Sequence, residues 1–274
     1  MVAKRVARIF GLLCLATGAV GCAQPDEPGG AAVGVAAITE NGLTANGLTA
    51  NGLTANGLTA NGLTANGLTA NGLTANGLTA NGLTANGLTA NGLSDPSTYK
   101  LLDYLVSCAL LPQQSITLAA GGSTYTFTGQ LGLAPQWGLD HGSCDGSCQR
   151  WVSACLLARI DAAGIDREIS VRGPSVTLWP TPSEISTYTQ KEATYFGNLF
   201  IPGQPRFLCL APGQKQDPRV CGDSLANCPM TVVGACAQDC LVKGGAFGDS
   251  FCSDAGRLGA GQTYFESVTV FLPK

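Results

Sequence analysis

The chain has 274 residues and a formal net charge of −3, which excludes a basic nucleic-acid binder. Charged residues make up only 12% of it, against roughly a quarter in an average globular protein. The shortfall is local: residues 41–94 hold no charge and no aromatic ring, and 17 of the 18 aromatic residues lie beyond position 95. An ordinary core can therefore form from residues 95–274 and not from 41–94. Twelve cysteines argue against a reducing cytosol.

Lys4, Arg5 and Arg8 precede an apolar run over residues 9–20. That run is shorter than the roughly 20 residues a membrane span needs, and it fits the apolar region of a signal peptide. It ends in Ala19-Val20-Gly21-Cys22, which resembles the lipobox of bacterial lipoproteins. The resemblance implies a leader over 1–21, acylation of Cys22 as the first mature residue, and attachment to a membrane through the lipid. Several acyl chains hold a protein firmly where one does not. Ala23 is not the aspartate that retains many such lipoproteins at the inner membrane, so the resemblance favours the outer membrane.

Residues 22–40 read as a small, Pro- and Gly-bearing tether. NGLTA then recurs ten times without variation from Asn41 to Ala90, and an eleventh copy breaks at Ser94-Asp95-Pro96. Asn-Gly is a strong turn dipeptide because both residues tolerate positive φ. Turns every five residues would suit a β-solenoid such as the pentapeptide-repeat family forms. That family wants a small residue two before the central leucine, where this repeat has asparagine. One leucine per pentad also buries too little to order five backbone residues. The expectation for 41–94 is a low-complexity stalk. As a flexible chain the 72 residues of 23–94 would span about 5.5 Å × √72, or roughly 45–50 Å.

Residues 95–274 read as an α+β domain. Asp95 or Ser97 can cap a helix over 99–111, with Leu101, Leu102, Leu105, Cys108 and Ala109 on one side and Pro112 as the stop. Residues 115–119 and 123–128 alternate with period two across Gly121-Gly122, a hairpin signal. A second helix is expected over 149–163, where Trp151, Cys155, Leu156 and Ile160 share a face and Gly164 ends it. Short strands are expected at 168–171, 176–179, 206–210 and 230–233. Residues 184–195 fit either helix or strand. A last strand is expected over 263–272, with Tyr264, Glu266, Val268 and Val270 opposite Phe265, Thr269 and Phe271. The expected fold is α+β and disulfide-rich: two N-terminal helices and a loop-rich antiparallel β body.

Cys14 leaves with the leader and Cys22 is the lipid site. Ten cysteines remain: Cys108, Cys144, Cys148, Cys155, Cys209, Cys221, Cys228, Cys236, Cys240 and Cys252. An even number in an exported domain suggests up to five disulfides. The helix spacing favours Cys108–Cys155, and Cys144–Cys148 would make a local clip. The last six would staple 209–252, where large apolar residues are sparse. Zinc is the competing use of these cysteines, although the Cys-x3-Cys pairs miss the common CxxC spacing. No pattern calls for a cofactor or a metal.

His141 is the only histidine, between Asp140 and Gly142. It would need a nucleophile and an orienting acid to act as a base, and its position reads as a surface loop. The stretch from Gly142 to Trp151 faintly resembles the active-site cysteine motif of papain-like proteases. Its tryptophan stands three residues from Cys148, however, and no histidine follows. Glu184, Glu192 and Glu266 could supply a carboxylate pair for glycoside hydrolysis; solvated surface positions are the plainer reading. Asp249 and Asp254 flank Cys252 and could bind calcium, at a spacing unlike an EF-hand. Trp137, Trp179, Tyr188, Tyr195 and Phe196, near Asn198, could build a glycan platform, with core packing the plainer reading.

The pieces YLVSCAL (104–110), LGLAPQW (131–137), QRWVSACLLAR (149–159) and YFGNLF (195–200) are similar to a group of uncharacterised exported lipoproteins of large-genome Gram-negative bacteria. The resemblance implies a shared fold and envelope localisation, and carries no functional residue. The expected protein is a cell-envelope lipoprotein that displays a binding or structural domain on a spacer, with an envelope protein or a glycan as partner. A tethered hydrolase using carboxylates or His141 is the alternative.

Overall fold

The computed structural model describes residues 37–38, 58–59, 62–63, 96–120, 122–138, 144–201, 203, 205–215, 217–256 and 261–274. The leader, Cys22, most of the tether and repeat, Asp95 and His141 lie outside the described residues.

Before the repeat, β1 (Ala37–Ile38) lies antiparallel to a strand of the C-terminal body, Ala37 opposite Ser170 and Ile38 opposite Ile169. Within the repeat, β2 (Leu58–Thr59) and β3 (Gly62–Leu63) pair with Leu58 opposite Leu63.

Helix α1 (Pro96–Ala109) buries Leu101, Leu102, Leu105, Cys108 and Ala109 on the face its spacing predicts. The hairpin of β4 (Ser115–Ala120) and β5 (Ser123–Thr128) packs beside it, with Ser115 opposite Thr128. Helix α2 (Gly146–Ala158) starts and stops earlier than the apolar spacing suggests. Asp145 sets the start, its carboxylate accepting from the N–H of Cys148 at 2.9 Å, which satisfies an orphan donor of the first turn. Asp161 competes at the other end. Its carboxylate accepts from the N–H groups of Ala163 and Ile165, an alternative to helix that short polar side chains offer. Helix α2 is buried almost all round, its polar Gln149 and Ser153 included, because it is covered on both sides. It packs against α1 and against the central strands of the sheet.

The sheet contains β6 (Ile169–Arg172), β7 (Gln190–Gly197), β8 (Arg206–Leu210), β9 (Thr231–Ala235) and, last in the chain, β13 (Ser267–Leu272). Its spatial order is β1-β6-β13-β7-β8-β9. All neighbours are antiparallel except β8 and β9, which run parallel. The body is thus α+β with a mixed sheet rather than a purely antiparallel one. Short helices punctuate it: α3 (Pro182–Thr187), α4 (Pro218–Cys221) and α5 (Cys236–Asp239). A small second sheet orders β10 (Cys240–Lys243), β11 (Asp249–Ser253) and β12 (Thr263–Tyr264).

Two sequence expectations are corrected and one open reading is resolved. Residues 176–178 form a 3-10 turn, not a strand. A turn of period three buries Leu178 alone and leaves Val176 and Trp179 in water, whereas a half-buried strand would bury alternate residues. The ambiguous stretch divides, α3 capped by Thr181 and then strand β7. The expected last strand is two: β12 joins the small sheet, the chain bends at Phe265 and Glu266, with Phe265 half-exposed and Glu266 buried, and β13 enters the centre of the large sheet between β6 and β7. Both faces of β13 are buried from Ser267 to Phe271, so Thr269 is an inward residue. It meets Thr194 Oγ1 at 2.9 Å and accepts from the N–H of Asp249 at 2.8 Å.

The main core fills the space between α1, α2 and the sheet. A smaller core lies under the second sheet, where the rings of Phe196, Phe207 and Tyr264 meet one another around Cys209, Cys236, Cys240 and Cys252. Five disulfides staple the body: Cys108–Cys155, Cys144–Cys148, Cys209–Cys236, Cys221–Cys228 and Cys240–Cys252.

Candidate functional site

The three candidate glutamates are buried rather than solvated, and each is taken up by its own partners. Glu184 closes a capping box with Thr181 and accepts from the hydroxyl of Ser170 at 2.6 Å. Arg172 beside it spends its guanidinium on the carbonyls of Glu184, Tyr188 and Ala246. Glu192 forms an ion pair with Arg219 at 2.7 Å. The hydroxyl of Tyr195 reaches Glu192 at 3.2 Å and also donates to Asp217. Burial pushes Glu192 upward and Arg219 opposes that shift, leaving it raised. Burial of a carboxylate is tolerated only with such partners.

Glu266 receives a forked pair of bonds from Arg150, Nε at 2.8 Å and Nη2 at 3.0 Å, and a third from the Ser147 hydroxyl at 2.6 Å. Burial alone would raise its pKa; the Arg150 and Ser147 bonds outweigh burial and hold the carboxyl below its ordinary value. A depressed folded pKa adds stability above the unfolded value of about 4.3, and that stability is lost as pH falls through the folded pKa. Wild-type protein should therefore lose part of its resistance to urea between about pH 5 and pH 3 through this group. Glu266→Gln should flatten that part of the profile; an unchanged slope would show that Glu266 does not set it.

Asp249 and Asp254 do not form a calcium loop. Asp249 accepts from Lys191 and, at 2.8 Å, from the Thr194 hydroxyl. Asp254 accepts from the N–H groups of Gly256 at 2.9 Å and Gln262 at 3.0 Å, closing its own turn. Cys209, Cys236, Cys240 and Asp249 bring ligand-type atoms within 4.8 Å of one another. The three sulfurs are all committed to disulfides, and a metal needs the thiolate. Cys148, in the papain-like stretch, is likewise disulfide-bonded and cannot be a nucleophile.

Of the expected aromatic platform, Trp137, Tyr188, Tyr195 and Phe196 are core. Asn198 is buried too, accepting from the N–H of Phe200. Only Trp179 faces water, its ring edge-on to Phe247 at 6.0 Å. A different set of rings reaches the surface. Phe265 is 42% exposed and Phe251 38% exposed. Their centroids stand 5.1 Å apart, and Phe265 meets the partly buried Trp151 at 6.3 Å, nearly perpendicular. Sequence reasoning missed this group because Phe265 read as one face of a continuous strand. The nearest signal was the pair Arg150-Trp151, whose neighbouring positions on α2 meet Glu266 and Phe265, themselves neighbours.

A family model described as the GLTT repeat matches the chain in 6 copies, over residues 38–69 and 67–94. The repeat segment is thus similar to that repeat, and the match does not reach the folded body. No curated protein and no solved structure matches the chain.

Proposed function

We propose that the chain is a cell-envelope lipoprotein, held through an acylated Cys22, that displays a disulfide-stapled α+β body as a binding or structural module. In this reading 1–21 is the signal peptide, 22–40 the tether, 41–94 a repetitive spacer and 95–274 the displayed domain. The site is the outer membrane, outside the cytoplasm, in keeping with the resemblance to exported lipoproteins. The observation that carries the reading is the state of the cysteines. All ten beyond position 95 stand in disulfides, a use of sulfur that belongs to an oxidising compartment. The charge pattern and lipobox-like end of the leader agree with export. Among the described residues no helix is long and apolar enough to cross a membrane. In this scheme the lipid on Cys22 is the anchor. A binding role is favoured by the half-exposed ring group; of the candidate carboxylates, Glu192 and Glu266 are taken up by ion pairs and Glu184 by its capping box and Ser170.

The test is fractionation of cells making wild-type protein or Cys22→Ser. Wild type should sediment with membranes and the variant should appear in the soluble extracytoplasmic fraction. A variant that stays with membranes, or a wild-type Cys22 that carries no acyl mass, would overturn the lipoprotein reading.

A further inference from the structure

We propose that the surface formed by Trp151, Phe251, Phe265 and the Arg150–Glu266 pair is a binding site for a neutral, pyranose-containing glycan. The proposal rests on the reading of the body as a binding module and names its ligand class. Four observations carry it. First, the rings are tilted against one another rather than stacked. Trp151 and Phe265 lie at 86° and Phe251 and Phe265 at 65°, so their faces point in different directions. A ring face is electron-rich, and the axial C–H bonds of a pyranose carry the complementary partial charge. Second, the polar groups are fixed beforehand. Glu266 holds Arg150 through Nε and Nη2 and is itself held by Ser147. No described acceptor takes Nη1, and a Cβ at Gly146 would come within 3.2 Å of it. The glycine therefore leaves room for an acceptor from outside, such as a sugar hydroxyl.

Third, the site has no surplus cation. Glu266 answers the guanidinium, and the exposed Asp145 carboxylate also acts on it, so the site favours a neutral polyhydroxyl ligand over an anion. Fourth, Phe251 adopts φ 53°. For a bulky residue that region costs about 1–2 kcal/mol, and such cost is found where a side chain must be aimed. Here it turns an aromatic ring toward solvent between the buried Ser250 and the disulfide-bonded Cys252. A protein partner would need on the order of 1,000 Å² of buried contact and would have to take in the exposed Leu241 and Val242 of β10 as well. The ring group with its ion pair is the part that suits one or two sugar rings.

The experiment uses the purified full chain in detergent, screened on a glycan array and then titrated with cellohexaose and chitohexaose by calorimetry and tryptophan emission. Binding of a neutral pyranose oligomer is expected. Phe265→Ala should weaken it about tenfold or more, from loss of ring contact. Arg150→Lys keeps the ion pair with Glu266 but gives up the second amino group of the fork; it should weaken binding several-fold with an unchanged circular dichroism spectrum. Trp179→Ala, at the separate Trp179–Phe247 pair, should bind as wild type does. An array with no pyranose ligand, or binding indifferent to both Phe265→Ala and Arg150→Lys, overturns the proposal. Neither result touches the lipoprotein reading, which stands or falls on the fractionation of Cys22→Ser.

Discussion

Arg219→Met should cost the body about 3–5 kcal/mol of stability at neutral pH, the usual consequence of removing one partner from a buried ion pair. Arg219 and Glu192 are both buried, and their contact is 2.7 Å. Arg219 also donates to the carbonyl of Ile160 and to the Tyr195 hydroxyl, at 2.9 Å in the latter case. One side chain thus ties the end of α2, strand β7 and helix α4 together. Removing it leaves Glu192 and Asp217 buried without a cation. Glu192, already raised by burial with Arg219 pulling the other way, would then rise further. A carboxyl whose folded pKa exceeds its unfolded value is best tolerated at low pH and becomes costly as pH rises through that range. The deficit of Arg219→Met should therefore shrink on acidification, and Arg219→Met/Glu192→Gln should recover much of it at pH 7. Urea unfolding of the oxidised proteins at pH 7 and pH 5 measures both effects. A single variant within about 1 kcal/mol of wild type would show that the cluster behaves as a surface pair.

The second large effect belongs to the disulfide between the two long helices. Cys108 and Cys155 are 47 residues apart in sequence, whereas Cys144 and Cys148 are 4 apart. Loop closure in the unfolded chain makes the first worth about 4 kcal/mol and the second about 2 kcal/mol. Cys108→Ala/Cys155→Ala should therefore lower the urea midpoint roughly twice as far as Cys144→Ala/Cys148→Ala. The difference should be larger still if the helices part, since both sulfurs of the first pair sit at the centre of the main core. Equal midpoints in the two double variants would mean that the helix pair is held by its apolar contact alone.

The elements most legible in the sequence are those whose pattern is local. Helix α1 and the β4–β5 hairpin announce themselves through apolar spacing, a proline stop and a glycine pair. Five disulfides match a count that parity alone made reasonable. What escaped is what depends on distant partners. Helix α2 is buried on most sides because α1 and the sheet cover it, and no period reports that. Strand β13 ends up in the middle of the sheet, which removes the alternation expected of a half-buried strand. The glutamates looked like surface residues because a sequence does not reveal which arginine will meet them. Arg150 lies 116 residues from Glu266, and Arg219 lies 27 from Glu192. The ring group shares that property: Trp151 comes from α2, Phe251 from β11 and Phe265 from the bend between β12 and β13.

The two residues of β1 alter what the large sheet offers to another chain. Ala37 and Ile38 take the side of β6 that β13 leaves open, opposite Ser170 and Ile169. A bare strand side is a ready template for pairing with a second molecule. Two short residue pairs, contributed from the far N-terminal side of the repeat, therefore act as a guard: the chain occupies part of its own sheet edge before a neighbour can.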